Sequence, residues 1–291
     1  MKISKLSTVA ILAITVILLG CTSVKEKEAG GYSESKIMID GVDHQIPAVV
    51  TLPGGKGPFP AVVMLHGYGS NKDEAGNGYM LLAPEFAKNG IASIRIDFMG
   101  YGDSTEDHAG FDLNIGVTEA LKAADYIAGL SEVDGKRIGI MGWSKGGTLA
   151  LLTSGRDSRF KSVLTWAGAP DLSGVYSSEG YAQAKENGNY VADLGWRPPF
   201  NMSLKAFEVF ASTDILAEFA HCGAPVLAIN GTDDTVVSPA TAARIKDASA
   251  NSASKSLLID GADHTFNIFT EDKTAFNTLC QATIKWFKDT L

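Results

Sequence analysis

The sequence Ile138-Gly139-Ile140-Met141-Gly142-Trp143-Ser144-Lys145-Gly146-Gly147-Thr148-Leu149-Ala150 predicts a short buried strand, a sharp turn and a helix. Its turn has the pattern Gly142-x-Ser144-x-Gly146, which is typical of a serine exposed on a strained strand-to-helix turn. The glycines are needed because strand and helix pass closely on either side of the serine. Helix N–H groups then point to where an oxyanion forms. Ser144 is the candidate nucleophile, and an ordinary tight turn is the alternative.

The composition indicates one large globular domain. The chain has 291 residues, 45% of them hydrophobic and 20% charged, which is enough to bury a proper core. Its net charge of −8 gives no basic surface for nucleic acid, so that class is excluded. Three cysteines do not make a disulfide framework, and no Cys/His spacing indicates a metal site. We expect neither a metal nor a cofactor.

Apolar strand patterns alternate with helix patterns along most of the chain. This alternation predicts a mostly parallel, doubly wound α/β sheet that follows an antiparallel hairpin. Between about 170 and 222 the rhythm changes, and we interpret that segment as an inserted cap, mostly helical and looped. The expected strands are 37–40, 46–52, 59–65, 91–96, 138–143, 161–166, 225–230 and 256–260. Helices are expected at 79–88 and 113–129, after Ser144, after the strand 225–230, and at 273–288.

The N-terminal segment indicates export. Lys2 and Lys5 precede an apolar run over 8–19 that suits a signal peptide better than a membrane span. The run ends in Leu18-Leu19-Gly20-Cys21, which resembles the lipobox of bacterial lipoproteins. The resemblance implies that Cys21 is lipidated and becomes the mature N-terminus, with the protein anchored to a membrane of the bacterial cell envelope and its catalytic domain outside the cytoplasm.

These observations divide the chain into a signal peptide at 1–20, a polar tether at 21–35 and a folded domain at 36–291. An ordinary secretory signal or an uncleaved anchor, with a chance cysteine, is the alternative interpretation of the N-terminus.

A serine nucleophile needs a base that takes its proton and a third group that orients the base. In a doubly wound sheet these groups lie just beyond the carboxyl ends of strands. Asp234 follows the strand at 225–230, and His264 follows the strand at 256–260. The spacing Gly-x-x-Asp-x-x-Val favours Asp234 over its neighbour Asp233 as the orienting carboxylate.

An oxyanion hole needs two backbone donors. One is expected to be the N–H of Lys145, the residue after the nucleophile. The other should come from the loop after the strand 59–65, where His66-Gly67-Tyr68 places the N–H of Tyr68. A plain strand-to-loop turn is the alternative interpretation of that loop.

A family resemblance covers about residues 37–291. The chain contains five motifs in this order: His66-Gly67-Tyr68-Gly69-Ser70-Asn71-Lys72, Asp97-Phe98-Met99-Gly100-Tyr101-Gly102-Asp103-Ser104, Gly142-Trp143-Ser144-Lys145-Gly146-Gly147, Gly231-Thr232-Asp233-Asp234-Thr235-Val236-Val237-Ser238-Pro239 and Gly261-Ala262-Asp263-His264. Together they resemble the α/β-hydrolase superfamily and, more narrowly, its bacterial feruloyl (cinnamoyl) esterases.

The resemblance implies an α/β-hydrolase fold with the triad Ser144, Asp234 and His264. In feruloyl esterases a cap aspartate and a cap tyrosine bind the aromatic hydroxyl of the substrate, which makes Asp171 and one of three tyrosines the candidates here. The tyrosines are Tyr176, Tyr181 and Tyr190. Trp143 stands where many members of the superfamily have histidine.

The sequence therefore favours a serine esterase that acts on a small-molecule ester, with hydroxycinnamate esters as the narrower expectation. Two alternatives remain open. One is a serine peptidase of the prolyl-oligopeptidase type, which has the same fold and triad. The other is a catalytically inactive hydrolase fold that serves as a binding protein.

The N-terminal pattern makes a direct prediction about location. Replacing Cys21 by alanine (Cys21→Ala) should release the protein from membranes or block its processing, because the acyl chains have no other attachment point. Membrane fractionation and mass spectrometry of the wild-type protein and the variant measure this. Wild-type protein that carries no lipid and partitions into the soluble fraction would contradict the lipobox interpretation.

Overall fold

A nine-stranded sheet forms the centre of the computed structural model, which describes residues 25–26 and 31–291. The strands of this sheet run in the spatial order β1-β2-β3-β5-β4-β6-β7-β10-β11. They are β1 (Lys25–Glu26), β2 (Tyr32–Asp40), β3 (Gln45–Pro53), β4 (Phe59–Leu65), β5 (Ala92–Ile96), β6 (Val133–Trp143), β7 (Phe160–Trp166), β10 (Val226–Gly231) and β11 (Lys255–Ile259).

From β5 to β11 every neighbouring pair of strands is parallel, whereas β1, β2 and β3 join antiparallel at one side. The central strand β4 is a near-continuous apolar run, and all five residues of β5 are buried, because helices cover both faces of the sheet. Five helices surround the sheet: α1 (Gly78–Lys88), α2 (Leu113–Ala128), α3 (Lys145–Arg156), α7 (Ala240–Ala248) and α8 (Thr274–Thr290). The predicted mostly parallel, doubly wound sheet is confirmed.

The sheet separates two hydrophobic cores. Alternate residues of β4 face opposite sides: Val63 and Leu65 pack with α2 and α3, and Val62 and Met64 pack with α1 and α8. Trp166 and Phe287 are among the largest fully buried side chains of the second core. Burial of apolar area contributes roughly 25 cal/mol per Å², so these two layers hold the strand ends, and the loops that leave them, in fixed positions.

The segment expected to form a cap contains more sheet than the sequence suggested. Between β7 and β10 lie three short helices, α4 (Ser178–Asn187), α5 (Leu204–Ala211) and α6 (Ile215–Phe219). They are accompanied by a separate antiparallel pair, β8 (Asn189–Ala192) with β9 (Phe200–Ser203). Each of these strands has four residues, which is too short for a recognisable alternation of polar and apolar positions. The segment is thus mostly helical and looped, and the short strand pair is a feature that the sequence did not indicate.

The start of the folded domain also differs from expectation. Tyr32–Ser35 were assigned to the flexible tether, but they belong to β2 and pair with 50–53 of β3. Glu34 explains the difference, because its carboxylate lies 3.0 Å from the buried guanidinium of Arg95 on β5. This ion pair fixes a stretch whose polar composition resembles a linker.

The expected signal peptide, the lipidation site Cys21 and most of the tether lie outside the described residues. Within the described part of the chain, no helix is both long enough and apolar enough to cross a membrane.

Candidate active site

Ser144 occupies the turn between β6 and α3. Its backbone has φ 53° and ψ −118°, a region that a residue with a side chain rarely adopts. Ser144 N–H donates to the Trp166 carbonyl at 2.8 Å, which ties the turn to β7. A Cβ added to Gly142 would lie 2.0 Å from the Gly146 carbonyl oxygen, so strand and helix pass too closely for any other residue there.

The carboxyl ends of the parallel strands lie side by side and bring three loops together. Leu65 pairs with Gly142 next to the serine turn, and Gly231 pairs with Ile259 on the other side of β7. The loops after β4, β10 and β11 therefore converge on Ser144. These loops carry the predicted oxyanion donor, the predicted carboxylate and the predicted histidine.

The half-buried His264 and the buried Asp234 form a hydrogen-bonded pair. His264 Nδ1 lies 2.8 Å from Asp234 Oδ2. The other oxygen of this carboxylate accepts the N–H groups of Val236 and Val237, each at 2.8 Å, which fixes its orientation. Asp233 is exposed, and its side chain meets only the Thr232 hydroxyl among the described contacts. The structure thus brings Asp234 rather than Asp233 to His264.

The loop after β4 lies directly over the serine. A Cβ on Gly67 would be 3.3 Å from the Trp143 carbonyl oxygen and 3.6 Å from the Ser144 Cβ. Tyr68 is the next residue, and it lines the same cavities as Ser144. On the other side of the serine, Lys145 begins α3, so its backbone N–H has no intrahelical acceptor. The two predicted donor residues therefore flank Ser144.

Two cavities meet at Ser144 and Tyr68. The first, here called the histidine-side cavity, has a volume of about 660 Å³ and also contains His264. Its walls are formed by aromatic and polar side chains, namely Trp143, Trp196, Phe269, Ser70, Asn71, Glu74, Thr265 and Arg197. The second, the cap-side cavity, has a volume of about 470 Å³ and contains Lys145 and Asp171. Its remaining walls include Leu172, Val175, Leu194, Val236, Ser238, Thr241 and Arg244.

Among the four cap candidates, Asp171 lines the cap-side cavity. It accepts the Ser173 N–H at 2.9 Å, and this bond, together with Arg244, keeps the pKa of Asp171 below its usual value. The three tyrosines line neither cavity at Ser144. Tyr176 is buried and stacks on Phe210 with ring centroids 4.8 Å apart. Tyr181 and Tyr190 both lie against Phe207. These tyrosines join the elements of the cap to one another.

The side chain of Lys145 was not singled out in the sequence. Its Nζ is buried 3.9 Å from the centroid of the Phe111 ring and donates to the Tyr101 hydroxyl at 3.2 Å. Burial lowers the pKa of Lys145 to about 7. The Tyr101 hydroxyl is also 2.7 Å from His108 Nε2, and His108 Nδ1 lies 2.8 Å from the Asn201 carbonyl on β9. A series of hydrogen bonds thus connects the serine turn to the cap, and no sequence pattern indicated it.

The histidine next to the loop turn has a structural role. His66 is buried, and its Nδ1 lies 2.8 Å from the Gly67 carbonyl oxygen. Burial lowers its pKa to about 3, so the ring is neutral and Nε2 accepts the Phe98 N–H at 3.3 Å. Trp143 supports the other side, because its indole N–H donates to the His264 carbonyl at 3.1 Å. Both rings position backbone around the site.

Comparison with known proteins gives a family match. Residues 81–291 match the model of the prolyl oligopeptidase family. The chain is 27% identical over 203 residues to 2,6-dihydropseudooxynicotine hydrolase of Paenarthrobacter nicotinovorans, covering 69% of this chain and 51% of that protein. It is 25% identical over 226 residues to acetyl esterase Axe7A of Xylanibacter ruminicola, covering 68% and 48%. The chain thus spans about half the length of these relatives.

A solved structure extends the comparison to the fold. Est1E of Butyrivibrio proteoclasticus, determined with ferulic acid bound, superposes with a TM-score of 0.70 at 18% identity, covering 87% of this chain and 98% of that one. At this identity the likeness concerns the fold alone. The expected α/β-hydrolase fold is confirmed.

The close passage at the serine turn predicts a stability effect. A Cβ at Gly146 would lie 2.0 Å from the Leu65 carbonyl oxygen, and neither backbone segment can move aside without displacing β4. Gly146→Ala should lower the free energy of unfolding by roughly 3 kcal/mol, at the upper end for overpacked sites. Urea denaturation measures it.

The matched control is Gly223→Ala, because Gly223 is exposed and a Cβ there meets no atom within 4 Å. Its unfolding free energy should change by less than about 0.5 kcal/mol. Equal losses in the two variants would show that the close passage is not what makes Gly146 necessary.

Proposed function

The chain belongs to the prolyl oligopeptidase family, and on this premise we propose that it cleaves carboxylic esters through an acyl-enzyme on Ser144. The family match and the names of its relatives, a hydrolase and an acetyl esterase, support hydrolysis. The observation that carries the finer proposal is the 2.8 Å bond between His264 and Asp234, made by a histidine that lines one cavity with Ser144. A strained serine, an oriented base and two flanking donors are the parts that acyl transfer needs.

The proposed reaction begins with proton transfer. Asp234 accepts the Nδ1–H of His264, which leaves the Nε2 lone pair to take the proton of the Ser144 hydroxyl. The serine oxygen attacks the ester carbonyl carbon, and the backbone N–H groups of Tyr68 and Lys145 stabilise the resulting oxyanion. The imidazolium then gives its proton to the departing alcohol oxygen. A water molecule, activated by the same base, releases the acid from Ser144.

The two cavities suit the two halves of an ester. Because His264 protonates the leaving oxygen, the alcohol half lies in the histidine-side cavity, which contains that residue. The acyl half then occupies the cap-side cavity. This cavity has apolar walls that include Leu172, and one carboxylate, Asp171, which can accept a phenolic O–H.

We therefore favour hydroxycinnamate acyl groups. Ferulic acid bound to Est1E, a protein of the same fold, supports this choice, as does the esterase activity in the name of Axe7A. Asp171 carries the proposed hydroxyl recognition, while Tyr176, Tyr181 and Tyr190 serve only to hold the cap together. The proposed location is a membrane of the bacterial cell envelope, with the protein anchored through lipidated Cys21 and the catalytic domain outside the cytoplasm.

Two alternative functions, peptide cleavage and a purely binding role, are tested by the same experiments. Peptide cleavage is kept because the matched family is that of prolyl oligopeptidase. A purely binding role is less well supported, since the histidine, the carboxylate and the serine all take positions that a binding protein does not require.

The first functional prediction concerns the proposed triad. Ser144→Ala and His264→Ala should each leave only residual hydrolysis, because the residues act as a unit. Asp234→Asn should reduce kcat by about ten-thousand-fold, since an amide cannot hold the imidazole in the required tautomer. Steady-state hydrolysis of a p-nitrophenyl ester measures these effects.

Asp233→Asn is the matched control. It changes the same functional group one residue away, at an exposed side chain, and should leave kcat close to that of the wild type. A crippled Asp233 variant beside an active Asp234 variant would overturn the assignment. Loss of fluorophosphonate labelling in Ser144→Ala identifies the nucleophile independently of the substrate.

The second functional prediction concerns the acyl group. Ethyl ferulate should be hydrolysed with a higher kcat/KM than ethyl butyrate, because the ring fills the cap-side cavity and its hydroxyl meets Asp171. Using one alcohol for both esters removes differences in the leaving group. The variant Asp171→Ala should lower the preference for ferulate and leave the butyrate rate nearly unchanged.

A tenfold or greater advantage for ethyl butyrate, about 1.4 kcal/mol in transition-state binding, would exclude a cinnamoyl site and leave a general esterase. An aminoacyl p-nitroanilide in the same panel tests the peptidase alternative. Hydrolysis of that amide faster than of either ester would replace the proposal by the alternative.

A further inference from the structure

Glu74 is a buried carboxylate in the histidine-side cavity that the proposed reaction does not use. It lies in the loop between β4 and α1, with 7% of its surface exposed. A buried charge is expensive unless other groups compensate it. Among the described residues, Glu74 forms no ion pair with a lysine or an arginine. Its charge must therefore be balanced in another way.

Backbone donors in and next to the loop at 67–74, which follows β4 and is here called the oxyanion loop, provide that balance. Glu74 Oε2 accepts the Gly67 N–H at 2.5 Å, and Oε1 accepts the Ala75 N–H at 2.9 Å. Gly67 precedes Tyr68, the proposed oxyanion donor, and lies against Ser144. The carboxylate thus closes the loop from 67 to 74 by a bond across its base.

The backbone of Glu74 is strained. Its φ of 65° and ψ of 174° lie in a region that is normal only for glycine. A residue with a side chain at such a position costs about 1–3 kcal/mol, so the chain gives up stability to keep this carboxylate under the loop.

The titratable groups that face Glu74 come from two elements. His264, after β11, lines the same cavity as Glu74. Burial and the Glu74 carboxylate raise the pKa of Tyr79 on α1. Burial raises the pKa of Glu74 above its usual value, while the Ser70 hydroxyl, the two backbone N–H groups and His264 lower it. The carboxylates that face His264 are Asp234, Asp263 and Glu74.

We propose that Glu74 is a positioning residue of the site, which holds the oxyanion loop through the Gly67 N–H and places a second negative charge beside His264. The first effect fixes the peptide unit between residues 66 and 67, which is joined through the Gly67 Cα to the unit that carries the Tyr68 N–H. The second favours the imidazolium that forms when Ser144 loses its proton. This inference rests on the proposed ester hydrolysis, since both effects act in acyl transfer.

Two substitutions separate the loop effect from the charge effect. Glu74→Gln removes the charge and turns an amide N–H₂ toward one of the two backbone donors. It should lower kcat roughly 10–100-fold with little change in KM, because a misdirected oxyanion donor acts on the transition state. The acid limb of the kcat/KM profile should move to lower pH by roughly half a unit or more, since protonated His264 loses a neighbouring negative charge.

Glu74→Asp keeps the charge but is one methylene shorter, so its reach to Gly67 is lost. It should lower kcat while the acid limb stays where it is in the wild type. The control is Glu119→Gln, another buried carboxylate, which contacts His44 and the Met99 N–H and lines neither cavity at Ser144. It should leave the acid limb in place. An unmoved acid limb in Glu74→Gln, or an unchanged kcat, would overturn the inference.

A measurement on the wild-type protein covers the case in which neither Glu74 variant folds. If ionised Glu74 assists the reaction, the rate of fluorophosphonate labelling should fall more steeply with decreasing pH than a single ionisation allows, over part of the range in which circular dichroism reports a folded protein. A profile that fits a single ionisation throughout that range overturns the inference. Wild-type protein that is not labelled at all would instead contradict the proposed function, so the two failures are distinguishable.

Discussion

The close passage of β6 and α3 at Ser144 is the constraint on which the rest of the site depends. Gly142 and Gly146 face each other where any side chain would collide with backbone. Gly146 also lies against the Leu65 carbonyl at the end of β4, so the same contact sets how the loop after β4 leaves the sheet. The positions of Ser144, the start of α3 and the loop after β4 are consequently not independent. A change that widens this passage would displace all three.

The electrostatics of the site follow from burial at the carboxyl ends of the strands. Removal from water is unfavourable for charged groups, and it leaves His66 neutral with a pKa lowered to about 3 and Lys145 with a pKa of about 7. Carboxylates at the same edge are held by backbone N–H groups instead: Val236 and Val237 for Asp234, Gly67 and Ala75 for Glu74. Backbone donors keep a carboxylate oriented without adding a cation that would disfavour a protonated histidine.

The sequence predicted most of the fold because hydrophobic periodicity reports the sheet directly. β4 was predicted with its observed bounds, and the choice of Asp234 over Asp233 agrees with the placement of their side chains. The strand at 32–35 escaped prediction, since the ion pair between Glu34 and Arg95 joins residues 61 positions apart. The sequence also could not show which aromatic residues of the cap line a cavity and which pack inside the cap. Tyr176 belongs to the interior of the cap, while Trp196, 70% exposed, lines a cavity. Only tertiary packing decides which face of a short helix meets the substrate.

The burial of Glu74 could not be predicted from the sequence for a related reason. Nothing in Asn71-Lys72-Asp73-Glu74 distinguishes a buried carboxylate from the exposed acidic residues of an ordinary loop, because burial here is set by α1 and the loop after β11.

The cap loop at 193–197 couples the two cavities that meet at Ser144. Leu194 lines the cap-side cavity, whereas Trp196 and Arg197 line the histidine-side cavity. The loop is seated on Gly69, where a Cβ would lie 2.6 Å from the Leu194 Cδ1 and 3.3 Å from the Trp196 Nε1. Arg197 fixes the far end by packing over Phe200 of β9, 4.3 Å from the ring centroid, and donating to the Gly100 carbonyl. One short segment thus forms a wall of both cavities and rests on the loop after β4, so a group that displaces it from one cavity also alters the space in the other. If the proposed ester binds with one half in each cavity, its acyl and alcohol preferences should change together when the cap loop changes.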